Sequence, residues 1–179
     1  MNNEIEFKSW GKIPRGNREL VTVTEKMDGT NACIIIEGGE VVGAQSRNRI
    51  ITPDKDNYGF AGWVESNKEV LKVLGDGYHF GEWVGLGIQG NPHCFPEKRF
   101  YLFNARRWYL NPDLPVICDV VPVLYEGAKD GLDIDEVMSD LWDEAEGQYV
   151  PEGVIVYQKI ADIMYKYTFK MSEGKWKGR

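Results

Sequence analysis

Thr24-Glu25-Lys26-Met27-Asp28-Gly29-Thr30-Asn31 is a polar stretch set between two runs with strand character. Residues 19–24 alternate and are rich in valine and threonine, and residues 32–37 form a short apolar block around Ile34-Ile35-Ile36. A lysine therefore stands on a strand-to-strand connection. Asp28-Gly29 is a turn signal, because glycine accepts positive φ and aspartate can bond its own backbone. The expected local form is a hairpin that carries Lys26 at its tip.

The rest of the chain limits what such a lysine can serve. At 179 residues with 42% hydrophobic and 12% aromatic content, the chain is long enough to bury a core as one domain. No apolar run approaches a membrane span, and the start Met1-Asn2-Asn3-Glu4 is not a signal peptide, so a cytoplasmic protein is expected. Cys33, Cys94 and Cys118 lack any Cys-x-x-Cys spacing and are expected to be small core residues. The net charge is -7, but residues 126–146 hold nine acidic residues and one lysine, which leaves the remainder at +1. That remainder has basic clusters at Lys98-Arg99, Arg106-Arg107 and the C-terminal lysines.

Outward from the lysine stretch, residues 40–45 predict a third strand joined through Gly38-Gly39. Helical spacing predicts a helix over 62–74, and 78–84 and 99–108 are predicted strands that flank a Gly-rich loop at 85–92. A further strand is expected within 115–121. The acidic segment sets Ile134, Val137, Met138, Leu141 and Trp142 on one helical face. Residues 153–158 and 163–170 predict a closing antiparallel pair. His79 and His93 are too isolated to suggest a metal site. The fold class expected is α+β, mostly antiparallel sheets with flanking helices.

Five further places line up with the lysine: Ser46-Arg47, Phe80-Gly81-Glu82-Trp83, Phe100-Tyr101-Leu102-Phe103, Pro151-Glu152-Gly153-Val154-Ile155 and Tyr165-Lys166-Tyr167-Thr168-Phe169-Lys170. Together with Glu25-Lys26-Met27-Asp28-Gly29-Thr30-Asn31, this series resembles the motifs of the covalent nucleotidyltransferases: ATP-dependent DNA and RNA ligases and mRNA capping enzymes. The lysine motif running into Thr30-Asn31 looks most like the RNA ligase branch. The resemblance spans about residues 19–170. It implies an ATP-grasp-like adenylation domain, here a single domain over 1–179 with no added OB-fold.

The resemblance implies a nucleophile in Lys26, with Lys170 and Lys166 as catalytic cations near the phosphates. A free lysine of pKa about 10.4 is only about 0.1% neutral near pH 7.4, so such a site must favour the amine or surround it with cations. Glu152 matches the family's metal-binding carboxylate, for Mg2+ or Mn2+, and Glu82 its ribose-contacting one. Phe103 would stack on adenine, with Val154 or Ile155 against the other face. Glu25, Asn31 and Arg47 complete the expected cofactor-binding set, with Arg49 the rival to Arg47. The family's last motif has a lysine where this chain has Thr168.

The activity implied is ATP-dependent RNA joining, or RNA repair, through lysyl-AMP, with ATP and Mg2+ as cofactors. Its partners would be RNA or DNA ends bearing a 5′-phosphate and a 3′-hydroxyl, and possible protein partners would supply a missing domain. The alternatives are a DNA nick-sealing enzyme, a stand-alone adenylyltransferase that needs a partner, and a nucleotide-binding module without turnover.

Overall fold

A computed structural model of the chain describes residues 19–169 together with Ser9, Gly11 and Lys12. Lys170, the basic residues after it and the expected extended piece near residues 5–7 lie outside the described residues. The chain folds as α+β, with two sheets built almost wholly from antiparallel pairs. No helix among the described residues is long and apolar enough to cross a membrane.

The first sheet has four strands in the order β10-β9-β1-β8: β1 (Leu20–Glu25), β8 (Val123–Ala128), β9 (Gly153–Gln158) and β10 (Ile163–Thr168). Alternation on these strands gives the sheet two different faces. Val21, Val23, Val154 and Val156 point to one face, where Met138 and Leu141 of helix α4 (Ile134–Ala145) complete an apolar core. Asp133 caps α4, accepting from the backbone N–H groups of Asp135 and Glu136 at 3.1 Å, and the acidic first turn suits the helix dipole. The other face, with Thr22, Thr24, Ile155 and Tyr157, is left to line a cavity.

The second sheet has six strands in the order β4-β3-β2-β5-β6-β7. These are β2 (Thr30–Glu37), β3 (Glu40–Ser46), β4 (Ile50–Ile51), β5 (Gly77–Val84), β6 (Arg99–Leu102) and β7 (Cys118–Val120). Only β6 and β7 run parallel. One face packs Ile34, Ile36, Trp83 and Phe100 against helix α1 (Phe60–Ser66) and the short helix α2 (Lys68–Leu71). A third apolar cluster of Met27, Val84, Tyr101, Ala105 and Val121 joins the two sheets at one end.

Four expectations are corrected. The stretch after β1 is not a hairpin: β1 pairs with β8 and β9, whereas β2 pairs with β3 and β5, so residues 26–29 cross from one sheet to the other. The helix expected over 62–74 breaks at Asn67, whose side-chain amide donates to Trp63 O at 2.7 Å and competes with the helical backbone. The strand expected over 99–108 ends at Leu102, because Asn104 caps helix α3 (Ala105–Trp108) by accepting from Arg107 N. Cys33 and Cys118 are buried as expected, but Cys94 is exposed.

The placement of β9 carries a stability test. Val154 is fully buried in the α4 core, whereas Ile155 is half-buried on the cavity wall. Val154→Ala should cost about 1 to 3 kcal/mol of unfolding free energy, as expected for a buried valine, and Ile155→Ala less. Urea unfolding of both variants checks this, and a larger loss at Ile155 would reverse the two faces.

Candidate functional site

The crossing segment is fixed by its backbone. Glu25 N donates to Pro122 O at 2.9 Å and Lys26 N to Gly153 O at 2.8 Å, which ties the segment to its own sheet. Met27 is buried in the cluster between the sheets. Gly29 then passes so close to β5 that a Cβ would lie 2.4 Å from Trp83 O. The glycine is required for close approach of two backbones, not for the positive φ of a turn.

Lys26 thus stands at the seam of the two sheets, on a cavity of about 1030 Å³ that both free sheet faces line. Its ammonium donates to Glu152 Oε2, from the residue just before β9, in a half-exposed ion pair. Across the cavity, Glu82 on β5 accepts from Asn31 Nδ2 on β2 at 2.7 Å, the two being directly paired across the strands. Burial pushes the Glu82 carboxyl up to about 7, against the opposing pull of Asn31, Lys26 and the Gly29 amide. Burial also raises Asp28, and the nearby charge of Glu152 raises it further.

Other expected residues are distributed as strand alternation requires. Phe103, 44% exposed just past the end of β6, and Ile155 on β9 line the cavity from opposite sheets. Val154, expected as a possible contact to the base, faces the α4 core instead and cannot touch a ligand in this cavity. Arg47 lines the cavity. Its rival Arg49 is committed to the carbonyls of Lys55 and Asp56, at 2.6 and 2.9 Å. Lys166 pairs with Ile155 and so shares its face of the sheet, but it is exposed and does not line the cavity.

Glu25 is a buried carboxylate that reaches the cavity, and its support was not legible beforehand. His93, just after the Gly-rich loop, meets Glu25 with Nε2 3.1 Å from Oε1, a hydrogen bond in which the imidazole N–H donates to a carboxyl oxygen. The imidazole is sandwiched between Phe95, at 5.5 Å and nearly parallel, and Tyr149, at 4.8 Å. His93 and Glu25 lie 68 positions apart, and no local pattern links them.

Among the described residues no group of three or more histidine, cysteine or acidic side chains is placed to hold a metal ion. Glu152 with Asp28 nearby offers one or two carboxylate ligands. That set suits Mg2+ or Mn2+ sharing its coordination with phosphates and water, and it does not suit a cation held by protein alone.

The raised Glu82 has a consequence for stability. Its folded pKa lies above the unfolded value of 4.5, so the folded chain binds this proton more tightly. The resulting stability is fully present below pH 4.5 and is lost as pH rises through about 7. Urea unfolding across pH 4.5 to 8 should show this decline in the ligand-free protein, and Glu82→Gln should flatten it. An unchanged slope in the variant would assign the decline to other groups.

Residues 19–171 match the RNA ligase family. Solved structures of similar fold include an RNA ligase of Naegleria gruberi, as a lysine-to-alanine mutant with ATP and Mn (TM-score 0.62, 20% identity). A glutamate-to-alanine mutant with AMP and Mn gives 0.60 at 20% identity, and an aspartate-to-alanine mutant in the apo form gives 0.59 at 20%. Each match covers 84% of this chain and 49% of the other, so the chain spans about half the length of the structures it resembles. No curated protein matches it. The match runs from just before β1 to just after β10 and takes in the lysine crossing and both walls of the cavity, and on that extent the chain belongs to the RNA ligase family.

Proposed function

We propose that the chain is the adenylation unit of an ATP-dependent RNA-joining enzyme that works through lysyl-AMP. The observation that carries this reading is Lys26 at the seam of two sheets, paired with Glu152 and facing the Glu82–Asn31 pair across one cavity. Lys26 Nζ attacks the α-phosphorus of ATP. The N–P bond forms, the bond to the bridging oxygen breaks, pyrophosphate leaves and the amine loses its proton. A 5′-phosphate oxygen of the polynucleotide next attacks that phosphorus and returns the lysine. A 3′-hydroxyl finally attacks the capped end, forms the phosphodiester and releases AMP.

Glu152 pairs with Lys26 through Oε2, and a divalent cation on the same carboxylate would compete with the ammonium for its charge. Glu152 would be a ligand to that cation, and its ion pair with Lys26 would weaken as the cation drew on the carboxylate, which would favour a free Nζ. The cation, when bound, supplies neutralising charge to the triphosphate and the leaving pyrophosphate. Arg47 is free to contact phosphate or ribose, and Lys166 adds positive field from the rim of β10. Phe103 and Ile155 stand where an adenine ring could be held between the sheets, and the Glu82–Asn31 pair where it could meet ribose. Glu25, an acceptor held in place by His93, suits the exocyclic amine of adenine and opposes the carbonyl of guanine.

The decisive experiment uses Mg2+ and ATP labelled at either the α- or the γ-phosphate, followed by a denaturing gel. Label from the α-phosphate should stay on the protein, and label from the γ-phosphate should not. Lys26→Ala should abolish it, as should Lys26→Arg, since a guanidinium keeps its proton at working pH. Glu152→Gln should also lose labelling, even though it releases the lysine from its ion pair, because the metal ligand is gone. Full labelling of Lys26→Ala would sink the assignment.

Base choice gives a second check. ATP should label far better than GTP, and Phe103→Ala should weaken ATP binding by roughly 1 to 3 kcal/mol, the usual worth of a base-stacking aromatic. Equal labelling by ATP and GTP would favour capping-type chemistry instead.

A further inference from the structure

The cavity is longer than one nucleotide needs. At about 1030 Å³ it reaches the upper end of small-ligand sites, and its lining runs from Lys26 and Glu82 at one end to Tyr78 and Tyr157 at the other. Tyr78 is four residues from Glu82 along β5, about 13 Å at the rise of a strand, which is beyond a ribose held at Glu82.

That outer end has its own character. Tyr78 and Phe80 are 55% and 51% exposed, on the cavity face of β5. Their rings lie 6.2 Å apart at 19°, as a stacked pair open to solvent. Met164 and Tyr157 face them from the other sheet. The acidic groups there are committed: Asp76 accepts from Gly38 N and Gly39 N at 3.0 and 2.7 Å, and Asp162 accepts from the Tyr157 hydroxyl at 2.9 Å. Arg106 on α3 lines the same end, and it makes no hydrogen bond or ion pair with any described residue. An uncommitted guanidinium beside flat exposed rings complements one kind of ligand: a phosphate attached to an aromatic base.

We infer that Tyr78 and Phe80 form a stacking platform for an unpaired base of the polynucleotide end, with Arg106 against its phosphate. This rests on the reading of the cavity as the joining site and adds to it a preference for ends with free bases. A base inside a duplex keeps both faces stacked on its neighbours and cannot lie on Tyr78. Phe80 borders the proposed adenine position, its carbonyl accepting from Phe103 N at 2.9 Å, whereas Tyr78 lies two strand positions further out, so it is Tyr78 that acts on the polynucleotide and not on ATP.

Binding of a 5′-phosphorylated single-stranded RNA oligonucleotide to the full chain tests this, across a salt series, next to Lys26 labelling by ATP alone. Tyr78→Ala should weaken RNA binding about 5- to 150-fold with the salt slope unchanged, as loss of one stacked base does. Tyr78→Phe should bind like the wild type, and Tyr78→Ala should label with ATP as the wild type does. Arg106→Ala should reduce the slope of log K against log salt by about 0.7, one phosphate of a single strand. RNA binding indifferent to Tyr78 would overturn the platform, and so would equal weakening on a nicked duplex. Loss of ATP labelling in Tyr78→Ala would place the pair in the ATP site and also overturn it. A wild-type chain that binds RNA through Tyr78 but never labels Lys26 would instead refute the adenylation reading, so the two failures are distinct.

Discussion

The structure depends on the first of its two backbone crossings between the sheets. Between Lys26 and Gly29 the chain leaves a four-stranded sheet and enters a six-stranded one, and it does so in near contact with β5. Any side chain at residue 29 would collide with the Trp83 carbonyl, so the approach exists only with glycine there. The crossing sets the seam, and the seam decides which residues meet. Asn31 and Glu82 come from the second sheet, Glu152 and Ile155 from the end and face of the first, and Lys26 stands between them.

The electrostatics follow from that convergence. Asp28, Glu82 and Glu152 gather round Lys26, in a site where burial disfavours charge. The structure answers in three ways: Glu152 pairs with Lys26, Glu25 is held by His93, and Glu82 is pushed to about 7 while bonded to Asn31. A carboxylate cluster of this kind is a stability cost, and such costs are concentrated where ligands supply the missing charge.

Much of the fold was legible because strand periodicity is local. The alternation of residues 19–24 and the apolar block at 32–37 were read correctly as strands, and so was the apolar stripe of the acidic helix. Their partners were not legible. Asp28-Gly29 carries the same local signal in a hairpin and in a crossing, and only the pairing of β1 with β8 and β9 separates the two. Strand β8 was overlooked because Glu126 led into the acidic run, and Asn67 and Asn104 ended elements by side-chain hydrogen bonds that a periodicity count does not register. Within the site, alternation placed Val154 and Ile155 on opposite faces, but which face met α4 was a tertiary fact. The His93–Glu25 contact joins loop and strand across 68 positions, so it had no signature at all.

The same alternation explains why the cavity is long. On each sheet alternate residues go to a helix-covered core, and residues of the opposite face, among them Thr22, Thr24, Tyr78 and Glu82, line the space between the sheets. Near the crossing Met27, Val84 and Tyr101 pack in one apolar cluster beside Lys26 and Glu82. Away from it the cluster ends, the two sheets continue, and Tyr78 and Phe80 remain about half exposed on the cavity wall. A sheet face left unfilled is costly in water unless something covers it, and flat rings at an open end are the surface that a nucleic-acid base can cover without a closed pocket. The packed inner end and the open outer end are therefore one consequence of joining two sheets at a single seam.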